Sequence, residues 1–281
     1  MSTAAVPSAA KGKGAETADV PFVGTGQHWA VLVGVNHYDD PYIRNLTVCS
    51  DDVAAIHQTL APGYAVARLL TDTTPEQLTR ANVLAALAAM AEAAADDLLL
   101  FSFSGHGVAE GGESYLLPCN DRLAALKYIA LALSDLRAIL DQSPARAKVI
   151  VLDACHSSPA LGKAPPEMTP EFIRRVFAEA EGMATLASRK QGQRSWEWSE
   201  QWRSAFTYYL LEALHGRADF DGKGFVTVTD ANRYVTDRLK AWAAERGLTQ
   251  TPTFQYATAG DIVLCRLWRI VAVIAAYLHS R

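Results

Sequence analysis

Two short stretches of this 281-residue chain carry groups suited to covalent chemistry. One is Phe101-Ser-Phe-Ser-Gly-His106-Gly107; the other is Val151-Leu-Asp153-Ala-Cys155-His-Ser157. A thiolate attacks a carbonyl carbon, and a nearby imidazole can hold that thiolate and then protonate the departing amine. The pair needs closeness in space, which two neighbouring strands supply if each ends in one partner. Gly105 and Gly107 let the backbone turn sharply about His106. The amides of Gly107 and Cys155 can then face the carbonyl oxygen as it becomes anionic, forming an oxyanion hole. Asp153 stands two residues before Cys155 and shares its face of a strand, whereas His156 points to the opposite side and reads as structural or as lining a subsite. Taken singly, a cysteine closing a buried strand is a small apolar residue and a strand-end histidine a polar cap; it is the combination that argues for catalysis.

The elements that would position these groups are legible as periodicity. Apolar runs at "HWAVLVGVNHY", "AVARLL", "DDLLLFSFSGHG" and "AKVIVLDACHS" read as strands buried on both faces. Between them, "SDDVAAIHQTL", "TTPEQLTRANVLAALAAMAEAAA" and "SDLRAILDQS" carry caps and helical spacing. Such alternation predicts a parallel sheet with helices on both faces, with working groups at the carboxyl ends of the strands. Further on, "GMATLASRKQGQRSWEWS" reads as a strand and loop, and "SAFTYYLLEALHG" as an amphipathic helix. "ADFDGKGFVTVTDANRYVTDRLKAWAAERG" reads as a tight turn, a short hairpin and a capped helix, and "AGDIVLCRL" as a final strand.

Composition narrows the classes. Half the residues are hydrophobic, a fifth are charged, and the formal net charge is -4. No basic patch of the kind that grips phosphate backbones is visible, so nucleic acid is not expected as a partner. Cys49, Cys119, Cys155 and Cys265 are widely spaced with no CxxC, which argues against zinc or a disulfide framework and fits a reducing, cytoplasmic location. Residues 1–25 lack the apolar centre of a signal peptide and read as a disordered arm. Residues 268–281 form an apolar segment too short for a bilayer span. It is expected to pack on the core, with a membrane surface or a partner as alternatives.

The two motifs, with His106 and Cys155 in that order, resemble those of the caspase-like cysteine peptidases. Asp153-Ala-Cys155-His-Ser157 resembles the metacaspase and bacterial orthocaspase branch more than the Gln-Ala-Cys of animal caspases. "WAVLVGVNHY", "LTVCSDDVAAI", "ATLASRKQGQRSWE" and "AFTYYLLEALHGRADFDGKGFVT" resemble further segments of that family, from about His28 to Leu267. The resemblance implies an α/β fold: a caspase-like three-layer α/β/α sandwich with a mainly parallel six-stranded central sheet. It divides residues 26–267 into a large-subunit-like part (26–160), a linker (161–181) and a small-subunit-like part (182–267).

The resemblance also implies roles. Asp153 and Asp52 would line the pocket for the residue before the scissile bond, and paired carboxylates there call for Arg, and less well Lys. On local grounds alone, Asp52 is equally a helix N-terminal acid and Asp153 a strand-end acid bonding nearby amides. Ser195 and Trp196 would lie beside a substrate added as an extra strand, with the indole walling the next subsite; Trp196 is otherwise a core aromatic beside Trp198. Lys163, Arg174 and Arg175, in a Pro-rich connector, are candidate sites for self-processing or for an upstream protease, the alternative being a plain surface loop.

No cofactor is expected. Calcium is left open: the resemblance implies a set of acids after the histidine strand that binds calcium in some metacaspases, of which Asp121 and Asp135 could match part without completing it, and Asp219-Phe-Asp-Gly-Lys-Gly224 fits a turn better than a calcium loop. The expected partners are protein or peptide substrates with Arg at the cleavage position, and an activating protease or regulator. Membership of the bacterial branch would imply a part in cell death or defence. The competing reading is a catalytically weak caspase-like module that binds partners; the presence of both Cys155 and His106 favours the enzyme.

Overall fold

The structure is a computed structural model and describes residues 22–74, 78–118, 125–153, 172, 174–175, 183–190, 193–256 and 260–267. The elements run β1 (Phe22–Val23), β2 (His28–Gly34), α1 (Cys49–Leu60), β3 (Val66–Thr71), α2 (Arg80–Ala88) and β4 (Leu98–Ser104). Then come β5 (Gly107–Glu110), β6 (Glu113–Leu116), α3 (Leu126–Ile129), β7 (Leu131–Ala132), α4 (Leu133–Gln142) and β8 (Ala147–Asp153). The remainder is β9 (Ala184–Ala187), β10 (Glu197–Trp198), β11 (Arg203–Ser204), α5 (Ala205–Glu212), β12 (Phe225–Thr227), α6 (Val228–Glu245), β13 (Thr253–Gln255) and β14 (Asp261–Arg266).

The central sheet has six strands in the order β13-β9-β8-β4-β2-β3. Its pairs are parallel except at the edge, where β13 lies antiparallel to β9. Successive side chains of a strand face opposite sides, so a run without polar interruptions feeds two cores. In β2, Ala30 and Leu32 enter one core with α1, α5 and α6, while Val31 and Val33 enter the other with α2 and α4. This is the expected three-layer α/β/α arrangement. Strands β8 and β9, from either side of the connector, pair from Val149↔Ala184 to Leu152↔Ala187, so the two halves share one sheet.

Two details place the site. A Cβ on Gly34 would lie 2.4 Å from Val53 Cγ2 and 2.6 Å from the Cys49 carbonyl oxygen, so only glycine lets the first turn of α1 rest against the end of β2. On β4 and β8 the last residues, Ser104 and Asp153, are register partners, and the Gly105 N–H extends the ladder to the Asp153 carbonyl at 3.2 Å.

The structure corrects the sequence reading in the last third of the chain. β12 does not form a local hairpin. It pairs antiparallel with β14, and β1 joins β14 in parallel, making a small separate sheet. The final strand, β14, thus lies outside the central sheet, whose sixth strand is β13, three half-buried residues that an edge accommodates. The meander β5-β6-β7 was not anticipated. The turn before β12 is closed by Asp219, whose two carboxylate oxygens accept from Lys223 N–H (2.8 Å) and Gly224 N–H (2.9 Å). Among the described residues no helix is long and apolar enough to cross a membrane. The expected arm and C-terminal helix lie almost wholly or wholly outside the described residues.

Candidate active site

His106 follows β4 at the carboxyl rim of the sheet and is only 6% exposed. Its N–H donates to Tyr38 Oη at 2.8 Å, and the two rings lie 4.9 Å apart. A Cβ on Gly105 would stand 2.9 Å from Tyr38 Oη and from Phe103 Cζ, so glycine is what allows the tyrosine this close. Nε2 of His106 is 2.8 Å from the Arg44 carbonyl oxygen. A carbonyl only accepts, so Nε2 is the protonated nitrogen, and in the neutral ring Nδ1 carries the basic lone pair. The Leu117 N–H donates to the His106 carbonyl, which makes Gly107–Leu116 a non-hydrogen-bonded pair of the ladder. The Gly107 amide therefore points away from β6, on the open side of an edge strand.

Cys155, His156 and Lys163 lie outside the described residues, as do Cys119 and Asp121. The last described residue before Cys155 is Asp153. It is 3% exposed, and Asp52 is completely buried. Hydroxyls surround the Asp153 carboxylate. Ser195 Oγ donates to Oδ1 at 2.9 Å, Ser204 Oγ donates to Oδ2, and Thr207 Oγ1 donates to Oδ2 at 3.2 Å; Ser188 also contributes a side-chain bond. Asp52 accepts from the Ser204 N–H, at 3.1 and 3.3 Å to its two oxygens. Burial pushes both carboxyls above the usual carboxylate range. The charge of Asp153 raises Asp52 further, against the Ser204 N–H, while the four hydroxyls hold Asp153 back. The arrangement is a pair of buried acids that form no ion pair among the described residues, with the Arg203 charge acting on Asp52 as its weakest influence; a guanidinium or ammonium would stabilise such an environment.

Ser195 is buried, with its hydroxyl turned into this network. Trp196 is half-buried, packs with Trp198 against the core shared by α1, α5 and α6, and its indole N–H meets no acceptor among the described residues. The Trp196 main chain is already engaged: its N–H donates to Gln250 Oε1 (3.0 Å) and its carbonyl accepts from the Ala205 N–H (3.0 Å). In an extended chain neighbouring residues present their main-chain groups to opposite sides. The edge directed away from β11 thus belongs to Ser195 and Glu197, and Trp196 brings only its side chain.

Arg174 is exposed and Arg175 partly buried. Asp135 forms an ion pair with Arg80 at 2.6 Å, on the α2/α4 side. Among the described residues no group of three His, Cys, Asp or Glu side chains stands ready for a metal ion. Sequence reasoning missed Ser188, Ser204, Thr207 and Gln250, all of which are fully buried in the acid network or beside it. Ser204 did leave a trace, since a serine before an apolar helical run is an N-cap, and it caps α5 by accepting from the Thr207 N–H at 2.9 Å. Its second task, donating to Asp153, had no sequence signal.

Comparisons with known proteins bear on this geometry. Residues 27–262 match the family model of the caspase domain. Metacaspase-9 of Arabidopsis thaliana is 28% identical over 164 residues, 54% of this chain, and the match spans only half of that relative's length. Among solved structures, caspase-1 from Spodoptera frugiperda superposes with a TM-score of 0.58 at 14% identity, covering 88% of this chain and 96% of that one. A Geobacter sulfurreducens protein gives 0.56 at 20% identity, covering 82% and 93%. These structural likenesses establish the fold alone.

Proposed function

This chain belongs to the caspase-domain family of cysteine peptidases, and from that premise we propose that it is a cysteine endopeptidase cutting after Arg, and less well after Lys, with Cys155 as nucleophile and His106 as its acid–base partner. The observation that carries the specificity is the buried pair Asp52 and Asp153 on the rim where β8 leads towards Cys155. Two acids sealed from water at a cost to the fold are an expensive arrangement unless a cation enters between them.

The residues suggest the following course. A substrate strand pairs with the outward main-chain edge of Ser195 and Glu197, and its basic side chain enters between the acids. The Cys155 thiolate attacks the carbonyl carbon after that residue, and the oxyanion is met by the amides of Gly107 and Cys155. His106, oriented by the Arg44 carbonyl, gives a proton to the amine as the C–N bond breaks. It then takes a proton from the water that hydrolyses the thioester. Self-processing in the connector, and a part in cell death or defence, are extensions of the same reading.

The test is fluorogenic hydrolysis by wild type, Cys155→Ala and His106→Ala. Turnover of an Arg peptide by wild type, and none by either variant, is expected. Undiminished turnover by Cys155→Ala would remove the assignment. The competing reading, a silent binding module, would show no turnover by any of the three.

A further inference from the structure

Gln250, 1% exposed in the loop between α6 and β13, uses its whole amide on the chain that borders the acid pair. Nε2 donates to the Ser188 carbonyl at 2.9 Å and to Ser195 Oγ at 3.1 Å, while Oε1 accepts from the Trp196 N–H at 3.0 Å. The loop is zipped to the same stretch on either side: Thr251 N–H donates to Gln193 Oε1 at 2.7 Å, and Thr253 Oγ1 to the Arg189 carbonyl at 3.0 Å. A serine hydroxyl has one proton and two lone pairs. With Gln250 pointing an N–H at the Ser195 oxygen, the serine's own proton is left for Asp153 Oδ1, 2.9 Å away.

We propose that Gln250 is a positioning residue for substrate specificity: it locks Ser195 as a donor to Asp153 and so sets the carboxylate that receives the substrate's basic side chain. The inference rests on the reading of the acid pair as the pocket for Arg. Ser195 is one of the hydroxyls that offset the burial of Asp153. Once released from Gln250, it can turn its proton elsewhere, and Asp153 then retains its own proton more readily and attracts a guanidinium less. Gln250 also holds the Trp196 N–H inward, which keeps the Ser195 and Glu197 edge facing outward.

Gln250→Met keeps the length and removes every polar contact; Gln250→Glu keeps the shape but points lone pairs at groups that expect a donor. For both, in the full chain, KM for an Arg peptide should rise about tenfold while kcat stays within about threefold, the loss expected from one buried hydrogen bond. Alkylation of Cys155 by iodoacetamide, a small neutral reagent, should keep its wild-type rate, while labelling by an arginyl chloromethylketone slows about tenfold. Because Gln250 acts through Ser195, Ser195→Ala should raise KM similarly and the double variant should add little.

Unchanged KM, or equal slowing by both reagents, would overturn the inference. Should Gln250→Met fail to fold, an unchanged KM in Ser195→Ala would do so. A wild type that takes up iodoacetamide at Cys155 but neither cleaves Arg peptides nor reacts with the arginyl reagent would overturn the Arg-pocket reading beneath it as well. Wild-type activity with indifferent variants would overturn this inference alone.

Discussion

Asp52 and Asp153 are joined through a single residue: Ser204 gives its main-chain N–H to the first carboxylate and its hydroxyl to the second. The acids come from different elements, α1 and β8, and Ser204 ends β11 and caps α5. The acid pair is therefore assembled only when chain from both sides of the connector is folded together.

This pairing carries a stability cost with a definite pH dependence. Burial raises both carboxyls, so the folded chain holds these protons more tightly than the unfolded chain does. The advantage is fully present below the unfolded value, about 3.9, and is lost as pH rises through the higher folded values. Asp52→Asn should thus be more stable than wild type at neutral pH, with the gap closing towards acid. Urea denaturation across that range checks it; a pH-independent difference would contradict it.

Of the four cysteines, Cys49 and Cys265 should be inert towards thiol reagents. Cys49 and Cys265 are buried, and burial pushes the Cys265 thiol up to about 12, where the reactive thiolate is scarce at neutral pH. Peptide mapping after brief treatment with iodoacetamide should find the label at Cys155 and leave Cys49 and Cys265 unmodified. Labelling of Cys265 at a comparable rate would contradict this.

Calcium should not be required. Asp135 is bound to Arg80, and both oxygens of Asp219 are taken by amides of its own turn, so neither is poised as a ligand. Equal hydrolysis rates in EGTA and in millimolar calcium are expected; a loss of about tenfold or more in EGTA would contradict this expectation and leave the peptidase reading untouched.

Of the two described connector arginines, Arg174 is the expected site of any self-processing. It is exposed, whereas Arg175 is partly buried, with Nη2 3.6 Å from where a Cβ on Gly112 would lie. Incubated wild type should yield fragments ending at Arg174, and Cys155→Ala should stay intact. One band for both proteins would argue against self-processing.

The parallel sheet and its two faces were legible because β2, β4 and β8 are unbroken apolar runs separated by capped helices. The candidate residues could be named for a related reason: His106 and Asp153 stand at or just past strand ends, where an apolar run gives way to glycine or an acid. What was illegible depends on long-range pairing. β13 is a three-residue edge strand without an apolar run, and the pairing of β12 with β14 joins segments far apart in the chain. The hydroxyl shell of Asp153 is equally non-local, reaching from Ser188 to Thr207. Nothing in the type of a serine, a threonine or a glutamine announces that it will face a buried acid.

The most direct test of the Arg pocket is a set of peptides identical except for the residue before the scissile bond, offered to wild type and to Asp153→Asn. Hydrolysis after Arg exceeding that after Lys, none after Asp, and a loss of about a hundredfold for the Arg peptide in Asp153→Asn are predicted, as expected for a buried charge pair deprived of one partner. Preference for Asp or for an uncharged residue, or full Arg cleavage by Asp153→Asn, would contradict it.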